Sequence, residues 1–248
     1  IVEFTSSLGF YKDLHAYERN VTRLLEGNID NIPEKNLWIK KILSKDKVVC
    51  SIEHSERFEI GISELEAKIV SKILLGYYRM VNPKNADEEL KFWSEKVGVV
   101  APHNAQGRTI IKKMYQDIDP YTHLDKDILM NHLKNSIYSV EKFQGSDRDL
   151  IITSIGLSDV DKIDEEADFI FNINRFNVLT SRAKSKLIFI TSEEILNFIP
   201  EDKKLIENVS KFNFLVYKFC NKQITIKFNN GKKEPTLIKF RYKQEGEI

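Results

Sequence analysis

The chain has 248 residues, 42% hydrophobic and 30% charged, with 38 Lys and Arg against 37 Asp and Glu and a formal net charge of +1. This is globular rather than disordered composition, long enough for one large or two small domains, and so nearly neutral that any nucleic-acid or phosphate site has to be a local patch. Cys50 and Cys220 each sit beside apolar residues and read as core positions in a reducing, cytoplasmic setting rather than a disulfide framework, and no stretch is apolar enough to span a membrane.

Residues 1–60 carry little periodicity until KVVCSI, which predicts a short buried strand. Ser63 followed three residues later by Glu66 forms a capping box, and Leu65, Ile69, Ile73, Leu74 and Tyr77 recur at helical spacing, predicting an amphipathic helix over 63–80. Asn82-Pro83-Lys84-Asn85 ends it, and the charged segment through Lys96 reads as a surface excursion. VGVVA (97–101) is a continuous apolar run of the buried parallel type, closed by Pro102. A helix from Ala105 to Tyr115 and a polar linker should follow, then strands at IYSV (137–140) and LIITSI (150–155) around an FQG turn. After the acidic loop SDVDKIDEEAD, a helix would carry Arg175 and Arg182 on one face, two turns apart, into the strand LIFIT. Strand and helix alternating in this way predict a three-layer α/β sandwich with a mostly parallel sheet. The tail differs: helix over 193–212, then FLVYKF, ITIKF and TLIKFRY as β structure, turning at Asn229-Asn230-Gly231. The lysines of this β appendage suit either protection of a sheet edge or contact with nucleic acid.

The usual machinery of catalysis is missing from the pattern. The histidines are scattered, neither cysteine has a partner at metal-ligand spacing, and there is no nucleophile elbow or Walker-type phosphate loop. Asp87-Glu88-Glu89-Leu90 and Asp164-Glu165-Glu166-Ala167 look like acidic metal boxes, but neither follows the apolar strand such a box requires. No metal site is expected. The informative stretch is SVEKFQGSDRDLIITS: Gly145 lets the backbone approach a ligand, Gln144 can donate and accept at once, and Asp147 and Asp149 flank the entry to a buried strand.

VGVVAPHNAQ, SVEKFQGSDRDLIITS and RFNVLTSRAKSKLIFIT resemble, in order and spacing, motifs IV, V and VI of superfamily-one helicases. The Upf-type group, with TPYxxQ, SVDxFQGxExDxII and RRLNVALTRAxxxLIIV, is most similar. IVEFTSSLGFY resembles the segment after that group's YRMHP motif, so the chain is expected to start just beyond it, with 1–192 a second RecA-like domain of P-loop NTPase type and 193–248 a helix plus basic β extension. The resemblance implies a parent enzyme in which two RecA-like domains clamp ATP, the first holding most of its phosphates and Mg2+, while single-stranded DNA or RNA runs across both. It implies that Arg182 is the arginine finger and Arg175 an orienting or phosphate-proximal residue, which two turns earlier on the same face would brace the acidic loop or an outer phosphate. Gln144, Gly145 and Asp147 would lie by the nucleotide, and Ser139, Gln106 and His103 by the nucleic acid. Four departures stand out: Asp147 is one methylene shorter than the usual glutamate, His103 replaces a tyrosine, VLTSRA replaces VALTRA, and the family's internal strand segment with its glycine-rich spacer is not visible in residues 48–62. Two other classes stay open, a helicase-like module that only binds a partner or nucleic acid through its basic tail, and a flavodoxin-like domain holding a small ligand beyond its strand ends.

Overall fold

The computed structural model describes residues 1, 5–6, 23–58, 62–138 and 147–243; Ser139, Gln144 and Gly145 lie outside them. In chain order the elements are α1 (Leu37–Leu43), β1 (Val49–His54), α2 (Glu64–Val81), α3 (Ala86–Lys91), β2 (Val97–Val100), α4 (Asn104–Ile118), α5 (Lys126–Ser136), β3 (Ile137–Tyr138) and β4 (Arg148–Ser154). They continue with α6 (Val160–Glu165), α7 (Ala167–Ile170), α8 (Ile173–Ser181), β5 (Ala183–Ser192), α9 (Glu193–Asn197), α10 (Lys203–Asn213), β6 (Lys222–Phe228) and β7 (Thr236–Tyr242). Among the described residues one sheet holds all the strands, in the order β3-β2-β4-β5-β1-β7-β6. The first five pair in parallel and the last two add antiparallel.

The apolar runs of the central strands make sense because both faces of the sheet are covered. Ile152, Ile188 and Ile190 face a core built with α1, α2, α4 and α5. Ile151, Leu187 and Phe189 face a second core built with α6 through α10. This is the three-layer α/β architecture of a RecA-like domain. Helix α2 starts as its sequence dictates, with the Ser63 side chain accepting the Glu66 N–H, and ends at Asn82 in the left-handed conformation at φ 57°. At the amino end of β5, Lys186 is buried and donates to the Ser44 carbonyl at 3.0 Å and to that of Lys47, tying the loop before β1 to the sheet. Burial pulls its ammonium below the ordinary lysine value.

Several segments depart from the expected pattern. The charged segment before Lys96 is not a surface excursion: α3 runs into a π-helical turn, Phe92–Lys96, whose Phe92 and Trp93 are fully buried. The reason is Glu89, which turns inward and accepts from Tyr78 Oη at 3.1 Å, Trp93 Nε1 at 3.1 Å, Thr122 Oγ1 at 2.8 Å and the His123 amide at 2.6 Å. The polar linker contains α5, which buries Leu129 and Leu133 along one side. The acidic loop contains the short helices α6 and α7. FLVYKF is not a strand but a π-helical turn continuing α10 over Phe214–Phe219, with Leu215 and Val216 buried.

The tail hairpin joins the main sheet, since β7 pairs with β1 and its Ile238 and Phe240 share a core with α2. Glu53 of β1, only 2% exposed, receives Lys239 Nζ at 2.9 Å and Arg241 Nε at 3.4 Å, and Lys239 also reaches Glu193 at 2.7 Å. Lys232 pairs with Glu56. Much of the hairpin's positive charge is therefore neutralised within the chain. Among the described residues no helix is long and apolar enough to cross a membrane.

Glu89 offers a direct test of the packing. Replacing it with alanine strands two buried donors, on Tyr78 and Trp93, and two part-buried ones, on Thr122 and His123, so Glu89→Ala should cost roughly 3 kcal/mol. For a chain of this size that lowers the melting temperature by about 6–12 °C, measured by circular dichroism, whereas an exposed neighbour such as Glu88→Ala should shift it far less.

Candidate functional site

The parallel register puts the residues before β4 and before β5 side by side at the amino edge of the sheet. Arg148 pairs with Ala183, and the Arg148 amide donates to the Arg182 carbonyl at 3.0 Å. Arg182 is the C-cap of α8, just outside the helix, and its Nη1 lies 3.3 Å from Asp147 Oδ1. The two side chains are 33% and 51% exposed, so this ion pair stands in water and is weak. The Nε of Arg182 is buried and has no hydrogen bond among the described residues. Asp149, two residues further on, is sunk to 9% side-chain exposure and held by Arg23 at 3.1 Å and Lys96 at 3.7 Å. The two aspartates at the strand entry thus hold different cations, Asp149 as a buried anchor and Asp147 at the open surface.

Arg175 is elsewhere. Helix α8 crosses the sheet from its carboxyl edge to its amino edge, and seven residues of helix separate the two arginines by roughly 10 Å of rise. The two arginines, on one face of the helix, therefore stand at opposite edges of the sheet. Arg175 lies in the first turn of α8 with its guanidinium 3.9 Å above the Phe169 ring. His103, following β2, stacks on the same ring at 5.6 Å and 27° and places Nε2 2.8 Å from Glu166 Oε2. Phe169 and Glu166 belong to the acidic segment, so Arg175 and His103 both brace it.

Gln106 is also at the carboxyl edge, but indoors. It is fully buried; its Oε1 accepts the Ser63 amide at 2.8 Å, and its Nε2 donates to the Ser63 carbonyl at 3.2 Å and to Ser154 Oγ at 3.0 Å. Both ends of the amide are engaged, which corrects the expectation of a direct strand contact: Gln106 fixes α4 against β4. Beyond it, Glu66 accepts from Ser154 Oγ at 2.6 Å and the Gly156 amide at 3.1 Å, and sits 3.1 Å from His54 Nε2. The capping box was readable from Ser63 and Glu66, yet the glutamate turns into this network and Gln106 takes the Ser63 amide in its place. Nothing in the local pattern marks Phe169, Glu166 or Ser154 as members of the site. Tyr138 and Asp147, the described residues bracketing 139–146, lie at opposite edges of the parallel strands. No group of three or more His, Cys, Asp or Glu that could hold a metal occurs among the described residues.

The AAA domain family (AAA_12) matches residues 1–194. The chain is 25% identical over 181 residues, 70% of its length, to the DNA replication ATP-dependent helicase/nuclease JHS1 of Arabidopsis thaliana. It is 27% identical over 192 residues, 73% of its length, to the DNA replication ATP-dependent helicase/nuclease DNA2 of Xenopus laevis. It is 32% identical over 131 residues, 50% of its length, to mov-10-B.2 of Danio rerio. The aligned region spans only 12%, 15% and 12% of those relatives respectively.

The Gln106 network makes a coupled prediction. Gly156 has φ +73°, and a Cβ there would lie 2.9 Å from the Gln106 side chain. Gly156→Ala should therefore cost about 2 kcal/mol or more from backbone strain and overpacking. In a Gln106→Ala background the same change should cost clearly less, because the clash is gone and only the strain remains. Urea denaturation of the two single variants and the double variant measures this; strict additivity would contradict the contact.

Proposed function

Because the chain belongs to the AAA domain family, in the AAA_12 form typical of the second domain of Upf-type superfamily-one helicases, we propose that it is the second RecA-like half of an ATP-dependent DNA or RNA helicase, supplying Arg182 to ATP whose phosphates and Mg2+ are held mainly by a first domain. The observation that carries this reading is the placement of Arg182. Its guanidinium sits at an open edge of the sheet, its backbone is fixed by the β4–β5 register, and its only described ion-pair partner is the half-exposed Asp147.

The residues present fit a nucleotide phosphate. When bound, ATP brings a γ-phosphoryl group whose charge, spread over its outer oxygens, calls for a fixed planar cation. Arg182 offers a fork of donors, including an Nε already out of water and without a described partner. Asp147 holds that fork in place until an anion competes for it. Exchanging one exposed partner for another costs little, which suits a finger that engages only when two domains close. Asp149, locked by Arg23 and Lys96, keeps the start of β4 from moving during the exchange. Reading the chain instead as a module that only binds through its basic hairpin has less support, because Lys232, Lys239 and Arg241 are already paired to carboxylates.

Two outcomes are expected. Arg182→Ala in the full-length parent should lower strand-saturated ATP turnover by roughly 10³-fold, and Arg182→Lys should recover little of it. Steady-state ATPase beside a thermal melt checks both, and near-normal turnover in a folded Arg182→Ala parent would remove Arg182 from the finger role. The 248-residue chain by itself should not hydrolyse ATP above a buffer blank, since no Walker loop occurs in its sequence.

A further inference from the structure

The β4–β5 ladder is irregular beside Arg182. Arg148 pairs with Ala183 and Leu150 with Lys186, so one residue of β4, Asp149, stands opposite two of β5, Lys184 and Ser185. The extra residue is a β-bulge, which bends a strand, sharpens its twist and re-aims the side chains next to it. Bulges are rare between parallel strands and collect beside active sites. Arg182 lies just before this one, on the far side from the regular ladder that runs from Lys186 to Ile190. It is joined to β4 through the Arg148–Ala183 pair and the bond from the Arg148 amide.

Both strands are pinned where the bulge interrupts them. On β4, Asp149 holds Arg23 at 3.1 Å and Lys96 at 3.7 Å, and Lys96 also pairs with Glu26. On β5, Lys186 is the first residue past the bulge; it is buried and donates to the Ser44 carbonyl at 3.0 Å and to that of Lys47. Ser185 between them is also buried, and its hydroxyl has no hydrogen bond among the described residues. Leaving a hydroxyl in that state works against stability, so the anchors on either side maintain a geometry that the ladder itself does not favour.

We propose that this bulge sets the aim of Arg182, and that Asp149 and Lys186 are positioning residues which act on ATP turnover through it. The proposal rests on reading Arg182 as the finger and goes beyond it. It places the finger's geometry in two buried side chains that are already committed to partners inside the chain. A guanidinium that has to meet developing charge tolerates little error, since a misplacement of about 1 Å can lower a rate on the order of 100-fold.

The test is a set of double-variant cycles in the full-length parent, read as kcat and KM for ATP at saturating single strand, with a melting curve for each variant. Asp149→Asn removes the charge of the β4 anchor and keeps its shape; kcat should fall about tenfold while KM stays within about twofold. Lys186→Met, which removes the β5 anchor, should act in the same way. Deleting the exposed Lys184 equalises the two strands and turns Arg182 toward the other face, so kcat should fall about 100-fold. In an Arg182→Ala background each of these changes should lower kcat less than about twofold, because no guanidinium is left to aim.

A residue that only supports the fold would lower turnover equally with and without Arg182, and that result would overturn the proposal. Unchanged kcat in folded Asp149→Asn and Lys186→Met, beside a large loss in Arg182→Ala, would also overturn it while leaving the finger assigned. The two point variants carry the test should the deletion fail to fold. Near-normal turnover in a folded Arg182→Ala parent would remove the finger reading and the positioning role together.

Discussion

The parallel pairing of β4 with β5, from Arg148 opposite Ala183 to Ser154 opposite Ile190, brings distant parts of the chain into register. Asp147 and Arg182 are 35 residues apart and meet only because the strands that begin just after them run side by side. The same pairing carries Ser154 to the other edge, where Gln106 and Glu66 engage it. Parallel strands require each connection to return across a face of the sheet, so residues before strands collect at one edge and residues after strands at the other. Helix α8 makes this concrete: its first turn belongs with Phe169 beside His103, and its C-cap to the pair with Asp147.

Buried carboxylates organise what the sheet alone leaves undetermined. Glu89 gathers the turn around Trp93, Glu66 joins β1, β4 and α2, Glu53 fastens the hairpin, and Asp149 fixes the start of β4. Each has several donors around it, the condition under which a buried charge is tolerable. Apolar packing would accept many arrangements of comparable volume, whereas a carboxylate with directed partners accepts very few. These four residues lock the register and helix orientation that the exposed Asp147 and the half-buried His103 rely on.

Much of the architecture was legible in the sequence, and the limits have physical causes. KVVCSI, VGVVA and LIFIT declared themselves as strands because both of their faces are buried, and Ser63 declared the start of α2 because an orphan amide needs an acceptor. The segment holding Phe92 and Trp93 was misjudged because its charges are local while its anchor, Glu89, finds Thr122 and His123 more than thirty residues away. FLVYKF is rich in aromatic and apolar residues like a strand, but α10 carries the chain straight into it. In the candidate site, Arg182 and Asp147 were recognisable from their motifs. The separation of Arg175 from Arg182 was not, because two residues on one helical face can still stand at opposite edges of a sheet. Gln106 was recognisable as important but not as internal, since an amide reads the same whether it faces a ligand or a backbone.

The family match ends at 194, yet the physical unit does not. Strand β7 covers the outer edge of β1, and its Lys239 and Arg241 neutralise Glu53, a carboxylate with almost no access to water. A chain ending where the match ends would keep every recognisable motif while gaining an open strand edge that carries Glu53 without its Lys239 and Arg241 partners. Such an edge invites pairing between copies. The hairpin is in this sense an internal chaperone for β1, and a piece cut for expression or transplanting has to keep it through Tyr242.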